Sequence, residues 1–161
     1  MDTAFARFAL YDWVAIFLLA CSFVLRGRMG GEQPTGCVLV GVFCGFLWPC
    51  VRELLLQGSP LMVFSAPRMQ IAVFLGAFTG LALSFLKRAD AFVPYVRILA
   101  LAMATSFGLL CALPHTSVSG ALFVSFFLCV LPCVVCDVAL GSLASLVDES
   151  FYYTRAFLGS L

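Results

Sequence analysis

The chain has 161 residues, of which 63% are hydrophobic and 11% are charged, and its formal net charge is +1. Soluble domains are roughly 45–50% apolar and about 25% charged, so a mean hydropathy of +1.12 excludes an ordinary soluble domain. The small net charge gives no reason to expect nucleic acid as a partner, and the composition predicts an all-α polytopic membrane protein in contact with the lipid bilayer.

Six apolar segments are predicted along the chain, and two of them contain a proline. A proline removes a backbone donor and clashes with the preceding turn, so we expect segment two to break at Pro49 and segment five at Pro132. Segment six has about eleven residues from Phe151, fewer than the ~20 that cross a bilayer. It is either a half-helix or a truncated span. The segments cover about 13–25, 36–57, 69–86, 96–113, 119–146 and 150–161.

The centre of segment two is unusual because charge interrupts a membrane-grade apolar run. Trp48-Pro49 is followed by Arg52-Glu53, and the chain then becomes apolar again. Charged residues at membrane depth are costly and mark pathways or paired sites. Irregular backbone survives at that depth only where protein or a water-filled cavity covers it. We therefore predict a discontinuous helix with an Arg-Glu pair at the break.

The two halves of the chain repeat. Glu53 and Asp137 are 84 residues apart, and the two prolines of the expected breaks are 83 apart. Three segments in each half make the second half enter the membrane from the opposite side, an inverted repeat typical of transporters and channels. We expect a single membrane domain, 1–161, with repeats of about 10–88 and 92–161. The offset of 84 also joins Ala20 with Ala104, Gly36 with Gly120, Leu47 with Leu131 and Leu56 with Leu140.

The basic residues predict the orientation of the chain. Most of them follow segment one, lie between segments three and four or at the start of segment four, or lie in segment six. The opposite side has only Arg7 and Arg68, and Arg52 is left out because it belongs to the expected break. The positive-inside rule then makes the richer side cytoplasmic and the N-terminus extracytoplasmic. The basic residues of the cytoplasmic side are Arg26, Arg28, Lys87, Arg88, Arg97 and Arg155.

A run of matching positions resembles the bacterial glycine transporter domain family, small membrane proteins related to the trimeric intracellular cation (TRIC) channels. The resemblance implies two three-helix repeats and a seventh helix, a Gly-Gly-Gly-x-x-Arg-Asp motif at each break, a homotrimer and the bacterial inner membrane. It covers nearly the whole chain. The positions that carry it are Asp12, Leu19-Ala20-Cys21-Ser22, Gly36, Arg52-Glu53, Leu55-Leu56, Pro60, Cys136-Asp137-Val138, Leu140-Gly141, Glu149 and Tyr153.

The sequence departs from that family at its central motifs. Leu47-Trp48-Pro49 and Leu131-Pro132-Cys133 stand where the glycine triplets would be. Cys136 replaces the second arginine and leaves Asp137 without a neighbouring base. We expect no counterpart of the seventh helix among these residues. These differences weaken the expectation of a site built from two symmetric motifs.

A broken helix would present free N–H groups to an anion and free carbonyls to a cation. Arg52 could then hold a carboxylate, while Glu53 or Asp137 faces an ammonium group or a cation. The alternative is a structural bridge between Arg52 and Asp137. The candidate pathway residues are Trp48, Pro49, Arg52, Glu53, Pro132, Cys133, Cys136 and Asp137.

The remaining motifs favour packing over chemistry. Eight cysteines lie in or beside apolar runs, and we interpret them as small buried hydrophobic residues. The alternative for Cys133 and Cys136 is metal or redox chemistry. Gly41-x-x-x-Gly45 and Gly76-x-x-x-Gly80 predict close helix contacts, within one subunit rather than between subunits. We expect no enzyme, no cofactor and no metal.

These features favour a small-solute transporter or channel whose permeant is glycine or a monovalent cation. The alternative is a degenerate family member that transports nothing and serves as a structural subunit of a membrane assembly. The missing glycines and the lost arginine favour this second function.

Overall fold

The computed structural model describes residues 2–56, 64, 66–86 and 89–140, and the side chains of 10–56, 64, 66–86 and 91–140. These residues form five helices, which confirms the predicted all-α fold. The predicted segment six lies outside the described residues. The helices are α1 Asp2–Met29, α2 Pro34–Leu55, α3 Pro67–Ser84, α4 Ala89–Ala112 and α5 Val118–Ala139.

Local sequence signals fix several helix ends. Pro34 and Pro67 occupy the first position of α2 and α3, where a missing N–H removes no helical hydrogen bond. Ser117 caps α5, since its hydroxyl accepts from the Gly120 N–H at 3.3 Å. Gly31, with a φ of 82°, supplies the left-handed residue that the tight turn between α1 and α2 needs.

Four of these helices are long and apolar enough to cross a membrane, judged by length and composition: Leu10–Met29 within α1, Pro34–Leu55, Ala91–Ala112 within α4 and Val118–Ala139. Large apolar side chains such as Leu39, Phe78 and Phe123 are exposed on the outside of the bundle. A surface of this kind fits hydrocarbon better than water. The chain is an integral membrane protein.

Helix α1 is the centre of the bundle, in contact with α2, α3 and α4. Glycine makes the closest of these contacts. A Cβ added at Gly76 would collide with the Phe17 carbonyl, and one at Gly80 would lie 2.7 Å from the Cys21 carbonyl. The predicted use of the glycine pairs for packing inside one subunit is confirmed, since Gly41 and Gly45 of α2 also lie against α1.

The expected helix breaks at Pro49 and Pro132 are wrong, because α2 and α5 continue through both residues. A proline removes only one backbone hydrogen bond, and membrane helices tolerate it where neighbouring helices support them. Both prolines are fully buried, so packing on all sides holds the helix in place. No helix end at Pro49 or Pro132 presents free N–H or carbonyl groups to a permeant.

Candidate functional site

The charged residues near the end of α2 form a cluster with α1. Arg52 Nη1 donates to Asp12 Oδ1 at 2.5 Å, while its Nε and Nη2 donate to Glu53 Oε1 at 3.2 and 2.9 Å. Asp12 and Arg52 are buried and Glu53 is half-buried. We call these residues the Arg52 triad. With two acids and one base it carries a net charge of −1.

Aromatic rings complete the surroundings of Arg52. Its guanidinium carbon lies 5.1 Å from the centroid of the Trp48 ring and 5.3 Å from that of the Phe107 ring. Arginine over an aromatic face is a favourable cation–π arrangement. Since Phe107 belongs to α4 and Asp12 to α1, Arg52 connects α2 to both helices.

A second cluster surrounds Asp137 near the end of α5. The Asp137 carboxylate lies 3.7 Å from Arg26 Nε and 3.7 Å from Arg97 Nη2. The aspartate is 0% exposed and lies at the carbonyl end of its helix, where a negative charge is unfavourable. Two guanidinium groups offset that penalty. We call these residues the Asp137 triad, and its net charge is +1.

The two triads lie far apart along α1. Asp12 and Arg26 are 14 residues apart on that helix, which is about 21 Å at 1.5 Å per residue. The hypothesis of a bridge between Arg52 and Asp137 is therefore wrong, because Arg52 pairs with Asp12 whereas Asp137 contacts Arg26, 14 residues further along α1. The side chains between the triads are buried and apolar: Ile16, Leu19, Ala20, Phe23, Cys44, Leu101, Ala104, Leu128 and Cys129.

The predicted pathway residues divide between these two places. Trp48 and Pro49 are fully buried in the turn of α2 before Arg52. On α5, three buried residues precede or adjoin Asp137: Pro132, Cys133 and Cys136. The sequence thus identified residues of both triads but not that they form separate clusters.

Sequence reasoning missed Asp12, Arg26 and Arg97 as members of the site. In the sequence, Asp12 stands out only as a position of the family resemblance, and the two arginines only as charges that flank the apolar segments. A usable signal was present, because an acid and a base stand 40 residues apart in both halves of the chain, as Asp12 with Arg52 and as Arg97 with Asp137.

The cysteines are free thiols. Cys44 of α2 and Cys136 of α5 are buried in the core within hydrogen-bonding reach of each other. In the described part of the chain, no group of three His, Cys, Asp or Glu side chains could hold a metal ion. The thiols of this core contribute to the contact between α2 and α5.

No family model and no curated protein matches the chain. Its structure is similar to the crystal structure of a prokaryotic TRIC channel in 0.5 M KCl, with a TM-score of 0.80 and 16% sequence identity. The match covers 97% of this chain and 81% of the channel. The expectation of a TRIC-like fold is confirmed, whereas membership of the glycine transporter domain family stays a prediction. The chain is an integral membrane protein with the fold of a prokaryotic TRIC channel.

Proposed function

We propose that the protein moves a small monovalent cation across the membrane. The path runs among α1, α2, α4 and α5 and connects the Arg52 triad with the Asp137 triad. One observation carries the proposal: six of the nine charged side chains that the structure describes are gathered into two clusters at opposite ends of an apolar helical core. Charge held inside a membrane bundle marks ion and substrate pathways.

The contacts of Arg52 support a cation over glycine. Three of its five N–H groups already donate to Asp12 or Glu53, so these two acids compete with the carboxylate of a permeating glycine for the guanidinium group. The net charge of −1 at this triad attracts a cation instead. Among the predicted pathway residues, Arg52, Glu53 and Asp137 serve the permeant, and Trp48 closes the path beside them.

The described conformation is closed in this proposal. Trp48 is 0% exposed, and its indole Nε1 is buried without a hydrogen-bond partner among the described residues. Buried donors are normally satisfied, so this N–H is available to water when the helices separate. The N-terminus on the extracytoplasmic side and assembly into a homo-oligomer stay predictions.

A second candidate function is a structural subunit that transports nothing. The apolar packing between the triads favours it, because Trp48 and Leu128 are fully buried in this core. In that case both triads only hold helices together.

Flux through proteoliposomes tests the proposal. Vesicles that contain the purified protein should release K⁺ down its concentration gradient faster than vesicles without protein. The same vesicles should not accumulate labelled glycine. Arg68→Gln is the matched control, since Arg68 is exposed outside both triads and its loss should leave flux unchanged. Uptake of glycine without K⁺ flux would show that the permeant is glycine and not a cation. Folded protein that passes neither solute would support the structural subunit.

A further inference from the structure

Four helices of the bundle pack in a closed circle. The pairs in close contact are α1 with α2, α2 with α5, α5 with α4, and α4 with α1. In this order α2 and α4 lie opposite each other across the middle of the circle. Helix α3 packs against α1 and α2, on the outside of the circle. A path among α1, α2, α4 and α5 therefore follows the axis of the circle and passes between α2 and α4.

Two aromatic side chains meet across this axis, one from α2 and one from α4. The ring centroids of Trp48 and Phe107 are 6.1 Å apart, and the two ring planes are tilted by 49°. This separation is within the range of direct contact between aromatic rings. Trp48 is 0% exposed and Phe107 is 8% exposed. The Trp48–Phe107 pair thus lies across the proposed path, beside the Arg52 triad.

Arg52 contacts both rings of this pair. Its Cζ lies 5.1 Å from the centroid of the Trp48 ring and 5.3 Å from that of the Phe107 ring, and each of these contacts is a favourable cation–π arrangement. The hydrogen bond to Asp12 also fixes the guanidinium group to α1. If α2 moved away from α4, the contact of Arg52 with Phe107 and the contact between the two rings would be lost together. One guanidinium group therefore stabilises the closed arrangement of three helices.

We propose that Phe107 and Trp48 together form the gate of the cation path and that Arg52 holds this gate closed. The inference rests on the proposed function, and it adds Phe107, which is not among the predicted pathway residues. Hydrophobic constrictions gate channels by excluding water, and two buried rings that meet on the axis form a constriction of this kind. When α2 and α4 separate, the rings separate too, and water and the cation enter between them.

Release of K⁺ from proteoliposomes that contain the full-length protein tests the gate. A minor conformation is typically 0.1–10% populated, so Phe107→Ala, which should hold the gate open, should release K⁺ about tenfold faster than the wild type or more. Phe107→Leu keeps an apolar side chain without the flat ring, and its rate should lie between the two. In the double variant with Trp48→Ala, release should be close to that of the faster single variant, because one missing ring already opens the gate.

Two control variants separate opening of the gate from the general effects of a substitution. Phe123→Ala also removes one ring of an aromatic pair, since Phe123 and Phe127 of α5 have centroids 6.0 Å apart. Phe123 is exposed on the outside of the bundle, so its loss should leave K⁺ release unchanged. Gly76→Ala disturbs the contact of α3 with α1, and it should lower the melting temperature without faster K⁺ release. Vesicles with each variant should retain a trapped anionic dye, which shows that the membrane is intact.

The possible outcomes distinguish the gate from the proposed function. If circular dichroism shows that Phe107→Leu is folded and it releases K⁺ no faster than the wild type, or if Gly76→Ala accelerates release equally, the role of Phe107 is overturned while the proposed function stands. Single effects of Trp48→Ala and Phe107→Ala that multiply in the double variant would show two separate barriers and overturn the shared gate. Absence of K⁺ release from the wild type and from every variant would overturn the proposed function and the gate with it.

Discussion

The guanidinium group of Arg52 lies over the indole ring of Trp48, one helical turn earlier on α2, with 5.1 Å between Cζ and the ring centroid. The same guanidinium donates to Asp12 on α1. A charge that is paired on one side and covered by an aromatic ring on the other is shielded from lipid and water alike. The stability of the bundle therefore depends on these residues.

Loss of Arg52 should destabilise the protein sharply. Arg52→Gln leaves Asp12 buried without its base, and breaking a buried pair costs about 3–5 kcal/mol. Thermal unfolding in detergent should show a large drop in melting temperature. The double variant Asp12→Asn/Arg52→Gln should recover part of it, because no buried charge remains unpaired. A double variant no more stable than Arg52→Gln would contradict this account.

Either arginine of the Asp137 triad should be able to pair with Asp137 when the other is removed. Asp137 contacts both Arg26 and Arg97, so either single change to Gln leaves the acid paired. Removal of both arginines takes away both of these bases, and we expect a loss of stability larger than the sum of the single effects by about 1–3 kcal/mol. Adding Asp137→Asn to that double variant should restore stability. Additive single effects in thermal unfolding would show that the two arginines act independently.

Gly76 should tolerate no side chain. An added Cβ meets the Phe17 carbonyl of α1, and backbone cannot move aside as a flexible side chain can. Gly76→Ala should lower stability by about 1–3 kcal/mol through overpacking. Gly36→Ala is the matched control, since nothing lies within 4 Å of its added Cβ. That variant should be neutral or more stable because alanine favours a helix; equal melting temperatures for both variants would disprove the contact.

Truncation of Trp48 should distinguish a role in closing the proposed path from a role in the stability of the fold. Trp48→Ala removes a fully buried indole and should cost about 3–5 kcal/mol. In vesicles the same variant should raise K⁺ flux if Trp48 closes the path. Trp48→Phe keeps most of the ring volume and should remain closer to the wild type in both measurements. Destabilised Trp48→Ala protein without flux would instead fit a structural subunit.

The sequence predicts the helices well because hydropathy is a local property. Segment three, expected at 69–86, is found as Pro67–Ser84. The break at Pro49 could not be judged in this way, since the missing hydrogen bond is local but the packing that compensates for it comes from other helices. The partners of the charges are also set by tertiary contact. Asp12 lies 40 residues before its base, and only the arrangement of α1 and α2 brings the two together.

The long separation of Asp12 and Arg52 has a consequence for synthesis. The ribosome adds the 40 residues between them in about 2–8 s at 5–20 residues per second. During that interval the acid of α1 has no base from α2. Asp12 is the third residue of the apolar span Leu10–Met29, so it lies near one end of the helix, where a charge costs less than at the centre. The ion pair that joins α1 to α2 should therefore form only after α2 has emerged.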